Sequence, residues 1–197
     1  MQAHWRQLQQ EMKEFILSVK YKMAGLIPSW QQFNDTINSI RKPMQMGPEW
    51  MHAKAITGAP INDRIWITDP PASSYPACIA VKCAELQSSD LAERYLYLLQ
   101  EAVMVKNVNI AKTPVLLEIA EMLSKSHPSF SLSDFRGDLL GERAREAFRK
   151  DLQECKYLNV SRLPAIRFKA PGAHAMLLSG YHSYASLKGA WEKMQNP

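Results

Sequence analysis

The sequence is poor in the residues that usually announce chemistry. Across 197 residues it has three Cys and eight Gly, too few for a disulfide scaffold or a glycine-rich repeat. Cys78, Cys83 and Cys155 form neither a Cys-x-x-Cys pair nor a Cys/His zinc spacing, so no redox or zinc motif is legible within these residues. His4, His52, His127, His174 and His182 are scattered without ligand spacing, and no metal site is expected. There is no G-x-G-x-x-G, no P-loop and no G-x-S-x-G, which argues against a dinucleotide fold, a nucleotide hydrolase and a serine hydrolase; no cofactor is expected. No apolar run approaches the roughly 20 residues of a membrane span. The start, Met1-Gln2-Ala3-His4-Trp5-Arg6, has neither a basic n-region nor an apolar h-region. The expectation is a cytoplasmic, soluble chain with no membrane partner.

What is present is enough to fold. With 46% hydrophobic and 22% charged residues the chain can bury a core as one domain, or as a small domain carrying an insertion. The net charge of +5 would favour an anionic partner only if it were concentrated on one face. Along the sequence it is not: the densest cluster, Glu142 to Asp151, alternates in sign, the pattern of a solvated helix face. No nucleic-acid partner is expected.

Periodicity then organises the chain. Trp5, Leu8 and Met12 share one side of a helix over residues 4–13 that has no visible cap, so it is expected to start before Met1. Leu17, Val19, Tyr21 and Met23 alternate as one face of a strand that Gly25 and Pro28 end. Residues 27–76 are rich in Pro and aromatics, which permits short helices at 30–40 and 49–57 but no long strand. Pro76 to Gln87 is apolar nearly all round. Asp90 opens a helix with Leu91, Tyr95, Leu98, Leu99 and Ala102 on one face. Thr113-Pro114 is an N-cap with Pro at the first helical position, ahead of inward Leu116, Ile119, Ala120 and Leu123. After a Ser/Pro/His linker at 124–131, Leu140, Ala144, Phe148, Leu152 and Cys155 mark one stripe of a long helix. Ala165 to Lys169 and Ala175 to Leu178, with Pro171-Gly172 between, make a hairpin; Gly180 ends it and Ser183 caps a last helix.

Several segments carry a family resemblance. Trp66 with Asp69-Pro70-Pro71-Ala72-Ser73-Ser74-Tyr75-Pro76-Ala77-Cys78, then Asn109-Ile110, Val160-Ser161-Arg162-Leu163-Pro164 and Leu178-Ser179-Gly180-Tyr181, resemble the cytosolic DsbA family of thioredoxin-like proteins. This is the FrnE-type branch, related to 2-hydroxychromene-2-carboxylate isomerases and kappa-class glutathione transferases. The resemblance implies an α/β class: a thioredoxin-like fold with a large all-helical insertion. Its core is expected at residues 1–25 and 151–197, with the insertion at 26–150. It also implies a first strand and a Cys-x-x-Cys at the start of the first helix. Neither is in these residues, so both are expected just before residue 1, since losing a central strand would leave neighbouring backbone groups unpaired at about 1 to 3 kcal/mol each.

No residue of the chain is therefore expected to be catalytic. The resemblance places a cis-Pro at Leu163-Pro164, where the backbone of Leu163 would pair with an extended substrate segment. It puts Asp69, Ser73 and Ser74 near the same face, as substrate contacts or as plain caps of the following helix. Cys78 and Cys83 point about 140° apart on one helix and read as packing residues. The alternative for Cys78 is a thiol activated at a helix N-terminus. Met44, Met46 and Met51 beside Trp50 either fill an irregular core or line an apolar groove. The function that follows is thiol-disulfide exchange on a protein or a small thiol such as glutathione, with a homodimer left open. The alternatives are a redox-inactive peptide-binding adaptor and a glutathione-dependent isomerase or transferase.

Overall fold

A computed structural model describes residues 2–15 and 18–195. They divide into two units, residues 1–19 with 154–197, and residues 20–153.

The first unit packs two helices against a hairpin. Helix α1 (Gln2–Glu11) buries Leu8 fully, with Trp5 and Met12 half-buried beside it, as the spacing of three and four requires. Strands β1 (Ala165–Phe168) and β2 (Met176–Ser179) pair antiparallel, Ala165 opposite Ser179 and Phe168 opposite Met176. The turn between them carries Gly172 at φ +75°. Helix α9 (Tyr184–Gln195), opened by the Ser183 hydroxyl accepting the Ser186 N–H at 3.3 Å, buries Leu187, Ala190 and Met194. Trp191 of α9 meets Phe168 edge-on.

The second unit is helical: α2 (Met46–Thr57), α3 (Ile65–Thr68), α4 (Tyr75–Glu85), α5 (Ser89–Met104), α6 (Thr113–Ser126), α7 (Leu132–Leu140) and α8 (Arg143–Tyr157), which runs on into the first unit. The α4 helix buries Ala77, Ala80, Val81, Cys83 and Ala84, and Tyr95 of α5 donates from its phenol to the Leu116 carbonyl at 2.8 Å. A smaller cluster gathers Trp30, Trp50 and Trp66, with Trp66 meeting both of the others at near right angles.

Five expectations from periodicity are overturned. The strand expected to end at Met23 does not form in its described part, and Leu17 lies outside the described residues; β1 and β2 make the only sheet among the described residues. The alternation survives, with Tyr21 and Met23 both packed on the helical core, but the Met23 N–H goes to the Asp151 carboxylate at 3.0 Å instead of to a strand. No helix forms at 30–40: Asp35 accepts from the N–H groups of Ile37 and Asn38, and a bridge between Asp35 and Ile40 closes a turn, the local side-chain competition that keeps Asp out of helix interiors. Ser88, not Asp90, caps α5, its hydroxyl accepting the Leu91 N–H at 3.1 Å, while Asp90 pairs with Arg94. Lys112 takes the cap position of α6 and Thr113 is its first residue, without a side-chain cap bond. The long stripe from Leu140 to Cys155 is two helices: Gly141 is extended after α7, and Leu140 is 81% exposed.

Candidate functional site

The site is built at the end of the hairpin. The Leu163–Pro164 peptide bond is cis. The Pro164 carbonyl accepts the Gly180 N–H at 2.8 Å, so residues 164 and 180 continue the register of the ladder as a hydrogen-bonded pair. Antiparallel pairs alternate between bonded and non-bonded, and with Pro164 and Gly180 bonded, the main-chain groups of Ala165 and Arg167 face away from β2. That outer edge of β1 has no strand partner among the described residues. Gly180 sits at φ +88°, where a side chain would be strained, and this turn directs Tyr181 and His182 out of the strand.

The first turn of α1 is tied to this corner. His4 bonds through Nδ1 to the His182 carbonyl at 3.3 Å, and its ring lies 5.8 Å from that of Tyr181. His182 in turn bonds the Ser179 carbonyl through Nε2 and the Ser186 hydroxyl through Nδ1. One imidazole thus joins the end of β2 to the first turn of α9, and its own carbonyl holds α1. Leu163 and Tyr181 are 44% and 43% exposed. The result is a partly apolar corner at the start of a helix, beside the first residue of β1. The sequence singled out Leu163 and Pro164, which the structure places at this corner, but not the contact of His4 with His182, which lie 178 residues apart and carry no spacing signal.

Asp69, Ser73 and Ser74 belong to the helical unit, and their polar atoms are occupied. Both hydroxyls donate to the Ile27 carbonyl at 3.1 Å; Ser74 Oγ also accepts the Ile27 N–H, and Ser73 Oγ accepts the Tyr75 N–H. Ser74 precedes α4 without capping it through its side chain. Asp69 takes Lys112 on one oxygen at 2.6 Å and the buried Asn109 amide on the other at 3.0 Å, and the Lys112 and Asn109 hydrogen bonds hold its carboxyl below the ordinary range. These contacts clamp residues 27, 69–75 and 109–112 together. Of the methionines beside Trp50, Met46 packs in the tryptophan cluster while Met44 and Met51 are exposed.

The thiols are quiet. Burial pushes Cys78 up to about 11 and Cys83 up to about 12, which overturns the activated alternative for Cys78: desolvation outweighs any help from the helix start. At pH 8 a thiol at about 11 is only about 0.1% thiolate, so site-resolved alkylation of Cys78 and Cys83 is expected to run at least about 100-fold slower than for a free cysteine. Cys78 modified at the free-thiol rate would refute the assignment. The same shift sets an alkaline limit. Unfolded thiols ionise near 8.5 while the folded ones keep their protons to about 11 and 12. The stability they contribute is therefore complete below about pH 8.5 and falls above it by about 1.4 kcal/mol per pH unit for each thiol.

Comparison with known proteins places this geometry. A family model described as thioredoxin matches residues 1–189. The ClpXP adapter protein SpxH of Bacillus subtilis is 30% identical over 151 residues, covering 71% of this chain and 49% of that protein. The protein of the same name from Halalkalibacterium halodurans is 25% identical over 150 residues, covering 76% and 47%. The chain thus spans about half the length of these curated relatives. Among solved structures, one from Nitrosomonas europaea, proposed to be a protein disulfide isomerase, superposes with a TM-score of 0.76 at 17% identity over 98% of this chain and 89% of that one. The cytosolic disulfide reductase DsbM from Pseudomonas aeruginosa, also solved with GSH, superposes at 0.64 with 19% identity over 89% of this chain and 84% of that one. The fold is thioredoxin-like with a helical insertion. No described helix is long and apolar enough to cross a membrane.

Proposed function

From the fact that the chain belongs to the thioredoxin family whose model spans residues 1–189, we propose that it is the substrate-holding part of a cytosolic thiol-disulfide exchange protein. One observation carries this: the exposed Leu163–Pro164 corner is joined, through the Pro164–Gly180 hydrogen bond and the Tyr181–His182 turn, to the first turn of α1 at His4. An extended segment laid there pairs with the backbone of Leu163 as a short added strand. A thiolate at the start of α1, contributed from outside residues 1–197, then attacks a disulfide sulfur of that segment. One S–S bond forms to the enzyme as another breaks, the substrate thiolate leaves, and a second enzyme thiol resolves the mixed disulfide. Protein segments and a small thiol such as glutathione are the substrates this arrangement suits.

The test is binding of a neutral, disulfide-containing peptide to the 197-residue chain, followed by amide NMR. Shifts are expected to concentrate at residues 161–165 and 180–182, and N-methylating the paired peptide amide should weaken binding about three- to tenfold, the worth of one hydrogen bond. Replacing Cys78, Cys83 and Cys155 by Ala should leave the affinity unchanged. Shifts confined to residues 20–153 overturn the proposal.

A second reading, an adaptor that holds a partner segment without redox chemistry, is favoured by the adapter names of the relatives and by the two buried thiols. It expects a peptide with Ser in place of its cystine to bind as tightly; preference for the disulfide form favours exchange.

A further inference from the structure

Helix α2 is apolar on two opposite sides, and the fold uses one of them. At about 100° per residue, Met46, Trp50 and Ala53 share one side and are half-buried, Met46 and Trp50 against the tryptophan cluster. Pro48, Met51 and Ala55 fall on the other side, and a 3₁₀ turn over Pro43–Gln45, which runs straight into α2, extends that stripe back to Met44. Met44, Pro48, Met51 and Ala55 are all exposed. Their spacing of four, three and four is that of a seam between two helices. A surface helix ordinarily turns charge outward, yet none of the outward positions 48, 51, 52, 55 and 56 is Asp, Glu, Lys or Arg. What the stripe offers is side chains on a backbone already paired within its helix, which is not the gap an absent strand leaves.

Charge indicates what covers it. Arg41, Lys42, Lys54 and Arg64 are exposed, and none of them has a carboxylate partner among the described residues, whereas Asp35, Glu49 and Asp63, the acids of residues 26–68, are all half-buried. Two of these cations are fixed at the head of the stripe. The Gln45 side chain accepts the N–H of both Arg41 and Lys42 at 2.9 Å and donates from its amide to the Ser39 carbonyl at 3.2 Å. Cations at a helix N-terminus oppose the macrodipole, so this pair weakens the helix it precedes. Lys54 flanks the stripe towards its other end.

We propose that α2 is a docking helix for a protein partner: an acidic amphipathic helix that lays its apolar side along Met44, Pro48, Met51 and Ala55 and sets its carboxylates against Arg41, Lys42 and Lys54. The unbranched Met side chains adapt to such a partner, and the small Ala55 lets it approach closely. A second copy of this face would bring like charges together. An anionic membrane suits it less well, because interfacial helices anchor through Trp, Phe and Leu on their apolar side, and Trp50 of α2 faces the tryptophan cluster instead. This surface belongs to the helical unit and acts whether or not the Leu163–Pro164 corner holds a disulfide.

The experiment uses three labelled helical peptides with Leu and Ala at the seam positions and Glu, Gln or Lys at the flanking ones, and fluorescence anisotropy with the 197-residue chain. The Glu peptide should bind about tenfold tighter than the Gln peptide near 50 mM salt, the advantage shrinking to about threefold or less near 500 mM, and the Lys peptide should bind weakest. Met51→Glu, a change at an exposed position, should weaken the Glu peptide at least about tenfold without moving the melting temperature, while Met122→Glu, equally exposed on α6, should leave binding unchanged. Lys42→Glu with Lys54→Glu should reverse the order of the Glu and Lys peptides, and the two Gln replacements should give an intermediate loss. Equal affinity for the three peptides, or binding that Met51→Glu leaves intact, overturns the proposal. Mixed phosphatidylglycerol and phosphatidylcholine vesicles that bind the chain when the peptides do not, and release Met51→Glu, replace the partner helix by a membrane. A dimer in sedimentation equilibrium that Met51→Glu dissolves replaces it by a second copy.

Discussion

Replacing Asp151 by Ala is expected to destabilise the helical unit by about 3–5 kcal/mol, the usual cost of removing one partner from a buried ion pair. Asp151 is 1% exposed and receives three donors: the buried Lys82 at 2.8 Å, Lys22 at 3.0 Å and the Met23 N–H at 3.0 Å. Glu85 also contacts Lys82, but it is partly solvated and sits one turn away on the same helix. Without Asp151, the Lys82 ammonium keeps one carboxylate partner, and the Met23 amide loses its acceptor in a site closed to water. The cost is thus mostly that of what is left behind. Combining Asp151→Ala with Lys82→Met is therefore expected to be less damaging than Asp151→Ala alone by at least about 1 kcal/mol, because it removes the stranded charge. Urea unfolding of the three variants measures this; a single-variant loss below about 1 kcal/mol would show that the pair is not desolvated as described.

Gly25→Ala should cost about 2–5 kcal/mol, from two causes that add. Gly25 lies at φ +56°, where an L side chain costs about 1–2 kcal/mol. A Cβ there would also stand 2.8 Å from both Phe148 Cζ and Tyr75 Cε1 and 3.0 Å from Leu152 Cδ2. Phe148 and Tyr75 are themselves locked edge-to-face at 4.9 Å, so neither ring can yield freely, and overpacking of this kind costs about 1–3 kcal/mol more. Gly58 supplies the control. It has nearly the same backbone, φ +65°, with nothing within 4 Å of its absent Cβ, so Gly58→Ala should cost the conformational part alone. Equal losses at the two sites would remove the steric half of the argument.

How far the sequence carried depended on whether local chemistry had competition. The hairpin was legible because alternation and Pro171-Gly172 agree, and the last helix because Ser183 caps a clear apolar stripe. The buried face of α6 was legible from Leu116, Ile119, Ala120 and Leu123. Where two local devices compete, the reading failed. Ser88 and Asp90 both can cap; Ser88 does, accepting the Leu91 N–H, while Asp90 is claimed by Arg94. The break between α7 and α8 leaves the apolar period intact through Gly141, so periodicity could not see it. At the site, the cis bond at Leu163–Pro164 was expected from the resemblance, whereas the hydrogen bonds that tie Asp69, Ser73 and Ser74 to Asn109 and Ile27 join segments distant in sequence and leave no local signal. The meeting of His4 with His182 is purely tertiary.

The carboxylate that holds Met23 also sets how that amide samples solvent. An amide in a sheet exchanges when its ladder frays from an edge, but the Met23 hydrogen is held by a side chain of α8, three residues past Phe148 in the middle of the helical core. It is released only when α8 lifts from α4 or Asp151 lets go of Lys82, events that belong to the larger openings of the unit and not to local fraying. A segment with no regular secondary structure thereby carries a proton whose protection tracks the cooperativity of the helices around it.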